Sequence, residues 1–404
     1  MRKYIILIWA FLFIDCVNRQ NENSRYTEEQ IASLRLDSTS ILKTETDSVI
    51  TINLNPFLKK QDFDFGSLVK EIKLVPLETT DESLVAPVYK VLVTDSHIYI
   101  YDKFKGGGLI IFNSEGKFIR RISNGRGPGE LSRLYDIAYD WENNELVAYQ
   151  HSFLLFFTPS GEFIRYMRLP FGFYNFTVIP DGYVFKAIDG QGNEHLDKLE
   201  YFTLFITDKN FKLKSAALPL FPMGSVLGGY NYLYNNNSTI HVTQKYQDTI
   251  YRYVDSTNKL KAKYILNYNK KKLPERYLKS ATWDDFENVI TQNDYYFYIG
   301  EYFETESHDI FSLSNWHTGK LTVYRDKKSN NLTGGTNLVF NPNEIPPLPP
   351  NTASGDYFIS VHYPDPIDSL LVNSSIISDD DKRKIKNIKE DDNPVLVFFK
   401  LKDF

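Results

Sequence analysis

Residues Phe112–Leu131 read FNSEGKFIRRISNGRGPGEL. An aromatic strand end at Phe112 meets a tight turn at Glu115-Gly116, and a second β-rich run, Phe118–Ile122, follows. Glycine supplies the positive φ that such a turn needs. A Gly/Pro-rich exit, Gly125-Arg126-Gly127-Pro128-Gly129-Glu130, then leaves the unit. Upstream, Val88–Thr94, Ile98–Tyr101 and Leu109–Phe112 are rich in β-branched and aromatic residues. They are separated by Asp95-Ser96 and by Lys105-Gly106-Gly107-Gly108. Four such runs joined by short turns make one antiparallel meander.

The unit recurs. FTPSGEFIR (157–165) repeats FNSEGKFIR (112–120) at an offset of 45 residues. FITDKNF (205–211) follows 48 residues later, YVDSTN (253–258) after another 48, and a weaker copy, LSNWHTGKLTVY, spans 313–324. A period of 40–50 residues built from four strands is the mark of a β-propeller blade. Five internal units and one shared closing unit give an all-β, six-bladed propeller; seven blades is the alternative if the last segment holds two units.

The closing unit is read from the ends. Pro394–Lys402 (PVLVFFKLK) is apolar on both faces in its first half, as a strand between neighbouring sheets must be. The chain stops at Phe404, which leaves no room for an outer strand. Glu71–Leu77 (EIKLVPL) supplies it, and pairing the two ends closes the ring and removes an open edge. The propeller is expected over residues 67–404. Within it, 274–290 reads as a helical insertion, 341–351 as a proline-stiffened loop, and 378–392 as a solvated loop or short helix.

Ahead of the propeller, residues 1–15 form a signal peptide: Arg2 and Lys3 precede an apolar run too short to span a bilayer comfortably. Cys16, the single cysteine, follows directly and is the candidate lipidation site, although Asp15 and Ile14 replace the small residues expected before it. Residues 16–66 are expected to be a lipidated N-terminus and polar tether, with a short helix somewhere in 27–42. Only Glu22 is acidic just after Cys16, which favours a periplasm-facing anchor.

The 404 residues carry a net charge of −5 and are 42% apolar and 15% aromatic. A core of good size is affordable, and no basic footprint for nucleic acid is present. One cysteine rules out a disulfide framework within the chain.

With IKLVPLET (72–79), FNSEGKFIRRI and Gly125–Leu131 in view, the chain resembles the six-bladed β-propeller lipoproteins of Bacteroidetes, of NHL- and TolB-like architecture. The resemblance covers about 68–404. It implies a lipid anchor at the cell envelope, at the outer membrane and facing either the periplasm or the surface, and little defined chemistry.

No catalytic constellation stands out. The seven histidines have no metal-ligand spacing and read as scattered surface or turn residues. The glycine motif lacks the Lys-Ser/Thr ending and following helix of a phosphate loop. It reads as a connector between blades in which Arg126 and Glu130 pair with each other or with a neighbour. If the connectors share one mouth, Arg126, Glu130, Arg133, Tyr174, Tyr230 and Tyr232 are the candidate ligand-binding residues; the bland reading packs the tyrosines between blades. The expected function is non-catalytic binding of a glycan, a peptide or an envelope protein, with no cofactor. The alternative is a metal-dependent propeller hydrolase or lyase with a divalent ion in the channel, by analogy of fold alone.

Overall fold

The structure, a computed structural model, describes residues 25–59, 62–103, 108–125, 127–188, 192–221, 232–235, 239–279, 282–339, 349–364 and 376–404. The expected signal peptide, residues 1–15, and Cys16 lie outside the described residues.

Six four-stranded antiparallel meanders form the molecule. Blade 1 comprises Val88–Val93, His97–Asp102, Gly108–Asn113 and Phe118–Ile122. Blade 2 comprises Leu134–Asp140, Glu145–Gln150, Phe153–Phe157 and Phe163–Arg168. Blade 3 is Asn175–Ile179, Gly182–Lys186, Phe202–Thr207 and Leu213–Pro219. Blade 4 is Leu233–Asn235, Ile240–Val242, Thr249–Val254 and Lys259–Asn267. Blade 5 is Tyr296–Glu304, His308–Asn315, Gly319–Asp326 and Leu332–Gly335. Blade 6 takes Thr352–Ser354, Tyr357–His362 and Val395–Leu401 from the C-terminal part and Val69–Pro76 from the N-terminal part.

Packing shows that these sheets form a ring. One apolar cluster lies between each blade and the next: Tyr99 to Phe157 between blades 1 and 2, Phe176 and Phe205 with Phe156 between 2 and 3, and so on round. The sixth cluster, with Leu396 and Ile359 against Ile98 and Ile110, joins blade 6 to blade 1. Strand alternation explains how one strand serves two interfaces. Val395, Val397, Phe399 and Leu401 turn towards blade 5, while Leu396 turns towards blade 1.

The closing pair has the expected partners: Leu396 opposes Val75, Val397 opposes Leu74, and Phe399 opposes Ile72. Asn393, 2% exposed, fastens the joint. Its Nδ2 donates to the carbonyls of Glu78 (2.8 Å) and Ser83 (2.9 Å), and its Oδ1 accepts from Val85 N–H (2.7 Å).

The turn between the third and fourth strands is the part of the repeat that shows in sequence. Asn113 Oδ1 accepts from the N–H groups of Glu115 (3.0 Å) and Lys117 (2.9 Å). Asp208 does the same for Asn210 and Lys212, and Thr158 for Glu162. In blade 5 this role falls to Asp326, which accepts from Lys328 and Ser329. The 313–324 copy is therefore one hairpin out of step: it is the second-to-third turn of blade 5, not the third-to-fourth.

The tether expected over 16–66 is replaced, from residue 25 onward, by an ordered strap. Thr27 caps the helix Glu28–Ser33. The chain then adds short parallel strands to outer edges in turn. Ser40–Ile41 joins blade 3, Thr44–Glu45 and Ile50–Asn53 join blade 4, and Asp62–Asp64 pairs with Asn337–Val339 just after blade 5. Leu34, Ile52, Leu54, Leu58, Phe63 and Phe65 are buried beneath it. Composition hid this, because a strand laid on an outer edge keeps one face in water.

The insertion expected over 274–290 is two helices, Glu275–Leu278 and Trp283–Gln292, the second capped by Thr282. Leu278, Phe286 and Ile290 pack on Tyr246 and Phe297. The charge run forms the helix Asp379–Ile385. Most of the 341–351 loop lies outside the described residues.

Candidate functional site

The inner strands of all six blades enclose an axial cavity of about 370 Å³. Each blade contributes an apolar side chain to its wall: Val91, Ile137, Phe176, Leu233, Phe303 and Ala353. Between them stand neutral polar groups, Thr177, Asn235 and Asn351. Asn235 Nδ2 donates to Thr177 Oγ1 at 2.9 Å, which ties blade 4 to blade 3.

One buried ion pair braces the wall. Lys90 Nζ donates to Asp136 Oδ1 at 2.6 Å and to Ile137 O at 2.8 Å. Asp136 is fully buried and also accepts from the N–H groups of Ile137 (2.9 Å) and Phe176 (3.1 Å). A carboxylate held by this many donors knits the inner strands of blades 1, 2 and 3 together; it is not a free base. A second pair, Lys320 with Glu301, also borders the cavity. Among the described residues, no three His, Cys, Asp or Glu side chains converge as a metal site.

The start of each inner strand marks one mouth of this cavity, and here two of the expected residues meet. The Tyr89 and Tyr174 hydroxyls are hydrogen-bonded at 3.0 Å, and the Tyr174 and Tyr232 ring centroids lie 5.9 Å apart. Burial drives the Tyr89 hydroxyl pKa far upward, so it stays neutral. Lys103 Nζ sits 4.5 Å from the centroid of the Tyr89 ring. Tyr174 is half-buried, but Tyr232 is a wedge: it is 3% exposed, and a Cβ on Gly300 would fall 2.6 Å from its ring. Arg133 is exposed and lies over the Tyr135 ring, 5.2 Å from its centroid. Glu130 turns back into its own connector, where it accepts from Gly127 N–H at 2.7 Å. Arg126 and Tyr230 lie outside the described residues.

Several polar groups escaped the sequence reading because their partners are far apart in the chain. His241, His308 and His362 are buried, not surface or turn residues. The His241 ring is hydrogen-bonded to Glu304, which also takes Lys263 and, at 3.0 Å, Lys327. Burial raises the Glu304 carboxyl, but the His241 hydrogen bond first, and then Lys263 and Lys327, hold it well below the usual carboxylate range. Beside it, Asp309 accepts from Arg325 (2.7 Å), Tyr302 (2.7 Å) and Tyr264 (3.0 Å). This network welds blade 4 to blade 5. Lys186 and Lys245 were also missed; a lysine at or just past the end of an apolar strand was the only signal.

A ring of six blades, strapped along its outer edges and hollow at its axis, defines a closed β-propeller. The chain belongs to the DUF4934 family, described as a domain of unknown function, which it matches over residues 49–400. A Bacteroides fragilis structure described as a "putative exported protein" shares the fold: TM-score 0.69, 20% identity, 88% of this chain and 100% of that one. A Bacteroides caccae protein of unknown function matches at 12% identity over 60% of this chain and 78% of its own, TM-score 0.35. The extracellular domain of a Bacteroides thetaiotaomicron "putative one component system" matches at 13% identity over 73% of this chain and 42% of its own, TM-score 0.34. No curated protein matches. Among the described residues, no helix is long and apolar enough to cross a membrane.

Proposed function

We propose that this chain is a non-catalytic propeller of the cell envelope, held to a membrane by lipid at Cys16, that binds a glycan or peptide segment in its axial cavity. The observation that carries the reading is the cavity itself. Its size, about 370 Å³, falls within the range of small-ligand pockets. Its wall alternates apolar faces with neutral hydrogen-bonding groups, and its buried carboxylate is already committed to structural partners. Among the described residues, the charged groups at this lining are paired with each other, Lys90 with Asp136 and Lys320 with Glu301, which suits a neutral ligand. Tyr174 and Tyr89 present aromatic and hydroxyl surface at the mouth.

The test is a panel of glycans and short peptides against the full-length protein, repeated with Val93→Trp, which fills the cavity from blade 1. At least one panel member should bind saturably, and the substitution should weaken it about tenfold or more, equivalent to about 1.4 kcal/mol. The reading fails if nothing in the panel binds, or if a folded Val93→Trp protein binds as well as the parent.

A further inference from the structure

Two lysines that take no part in the axial cavity share a smaller hollow between blades 3 and 4. Lys186 ends the second strand of blade 3 and is 2% exposed; Lys245 follows the second strand of blade 4 and is 3% exposed. Both line a hollow of about 20 Å³, walled also by Thr203, Gln244 and Tyr232. That is room for one water-sized group, which needs about 10–15 Å³.

Among the described residues, neither lysine in this hollow has an anionic acceptor: Lys186 has a neutral hydroxyl and Lys245 has none. Lys186 Nζ donates to Thr203 Oγ1 at 2.6 Å, and the Thr203 hydroxyl donates to Leu218 O at 3.1 Å. Lys245 Nζ has no hydrogen-bond partner among the described residues and lies 5.6 Å from the centroid of the Tyr246 ring. Gln244 Nε2 is engaged with Pro219 O at 2.6 Å. Among the described residues, Tyr232 lines the hollow and the Tyr246 ring faces Lys245, and burial raises the Tyr246 hydroxyl. No charged side chain of the described residues enters the balance at either amine; burial alone pulls each down to about 7. Leaving an ammonium buried without a counter-charge is costly, whereas an anion between two of them restores their charge and gains strong hydrogen bonds.

We propose that this hollow is an anion site, in which Lys186 and Lys245 together hold the oxygen of a carboxylate, sulfate or phosphate group. The site is separate from the axial cavity and does not depend on a ligand binding there. Its pH dependence follows from the amines. Without anion, the unfolded chain binds more protons than the native one between about 7 and 10.5, so native stability rises with pH across that interval. An anion favours the charged amines, so its protection is greatest near and below pH 7 and fades as the pH rises.

The experiment is thermal unfolding of the full-length protein in acetate, sulfate or phosphate against chloride at equal ionic strength, from about pH 6 to 9. The oxyanions should raise Tm by about 2 °C or more at the acid end and much less at the alkaline end. Lys186→Met and Lys245→Met should each abolish the response, and Lys214→Met, half-buried on the fourth strand of blade 3 and not lining the hollow, should keep it. Each buried replacement removes a desolvated charge, so the parent fold should be retained with higher Tm near pH 6; Lys245→Gln serves as a second variant. Glucuronate separates the sources: an effect equal to that of acetate indicates a free ion, and a larger one indicates the acid group of a sugar. An oxyanion shift that survives in Lys245→Met, or its absence from the parent at every pH, overturns the proposal.

Discussion

Truncating the chain after Asn393 should unfold it. The deletion removes Val395–Leu401, whose strand bonds to Tyr357–His362 on one side and Val69–Pro76 on the other. Val395, Leu396, Val397, Phe399 and Leu401 are each no more than 4% exposed. At about 1.5–3 kcal/mol per buried side chain, the loss is about 8–15 kcal/mol, an upper estimate because unfolded chains are partly compact. That equals the whole stability of an ordinary domain, about 5–15 kcal/mol. A milder perturbation calibrates it. Phe399 packs edge-on against Phe65, with ring centroids 5.5 Å apart, and beside Phe358 at 5.6 Å. Phe399→Ala should cost about 3–5 kcal/mol and leave a folded protein. Urea unfolding followed by near-UV circular dichroism measures both. A truncated protein with the parent's midpoint would refute closure by this strand, since no other segment of the described residues pairs with Val69–Pro76 along its length.

Three further outcomes are expected. Gly116 has φ +83°, and a Cβ there would lie 2.1 Å from Pro76 O, so Gly116→Ala should cost about 2–4 kcal/mol; Gly355→Ala, at φ +56° with open space around it, should cost about 1 kcal/mol in the same unfolding assay. Asp309→Asn strands the buried Arg325 guanidinium and should lower stability by about 3–5 kcal/mol, read as a fall in the denaturation midpoint. Burial holds the His362 imidazole at about 4 against an ordinary 6.5, and its Nε2 has no partner among the described residues. The unfolded chain therefore takes up the proton first, and about 3 kcal/mol of stability should drain away as pH falls from 6.5 to 4; His362→Phe should flatten that part of a Tm-versus-pH curve.

The blade repeat was legible because its turn chemistry recurs locally: an aromatic, then Asn113, Thr158 or Asp208, then a glycine or asparagine near the bend. The closing strand was legible because Leu396 and Val397 must both be apolar to satisfy different neighbours. The strap was not, since Ser40–Ile41 and Thr44–Glu45 are two residues each, too short for any alternation to show. Blade 5 was misaligned because Thr318-Gly319-Lys320, one hairpin before the Asp326 turn, imitates Glu115-Gly116-Lys117. Tyr174 lies beside Tyr232, with ring centroids 5.9 Å apart, while Tyr232 itself is buried. The Lys90–Asp136 and His241–Glu304 pairs could not be seen, because each joins different blades across 46 and 63 residues of chain.

The strap delays part of assembly behind synthesis. Ser40 waits for Ser215, Glu45 for Lys261, Asp64 for Val339 and Val69 for Leu401. Each strap strand is thus seated only once the distant stretch it pairs with has been made, and Val69–Pro76 only after nearly the entire chain has emerged. Contacts this distant slow folding and leave blade rims unprotected meanwhile. Until the last strand pairs, the nascent chain carries open edges that its finished form does not.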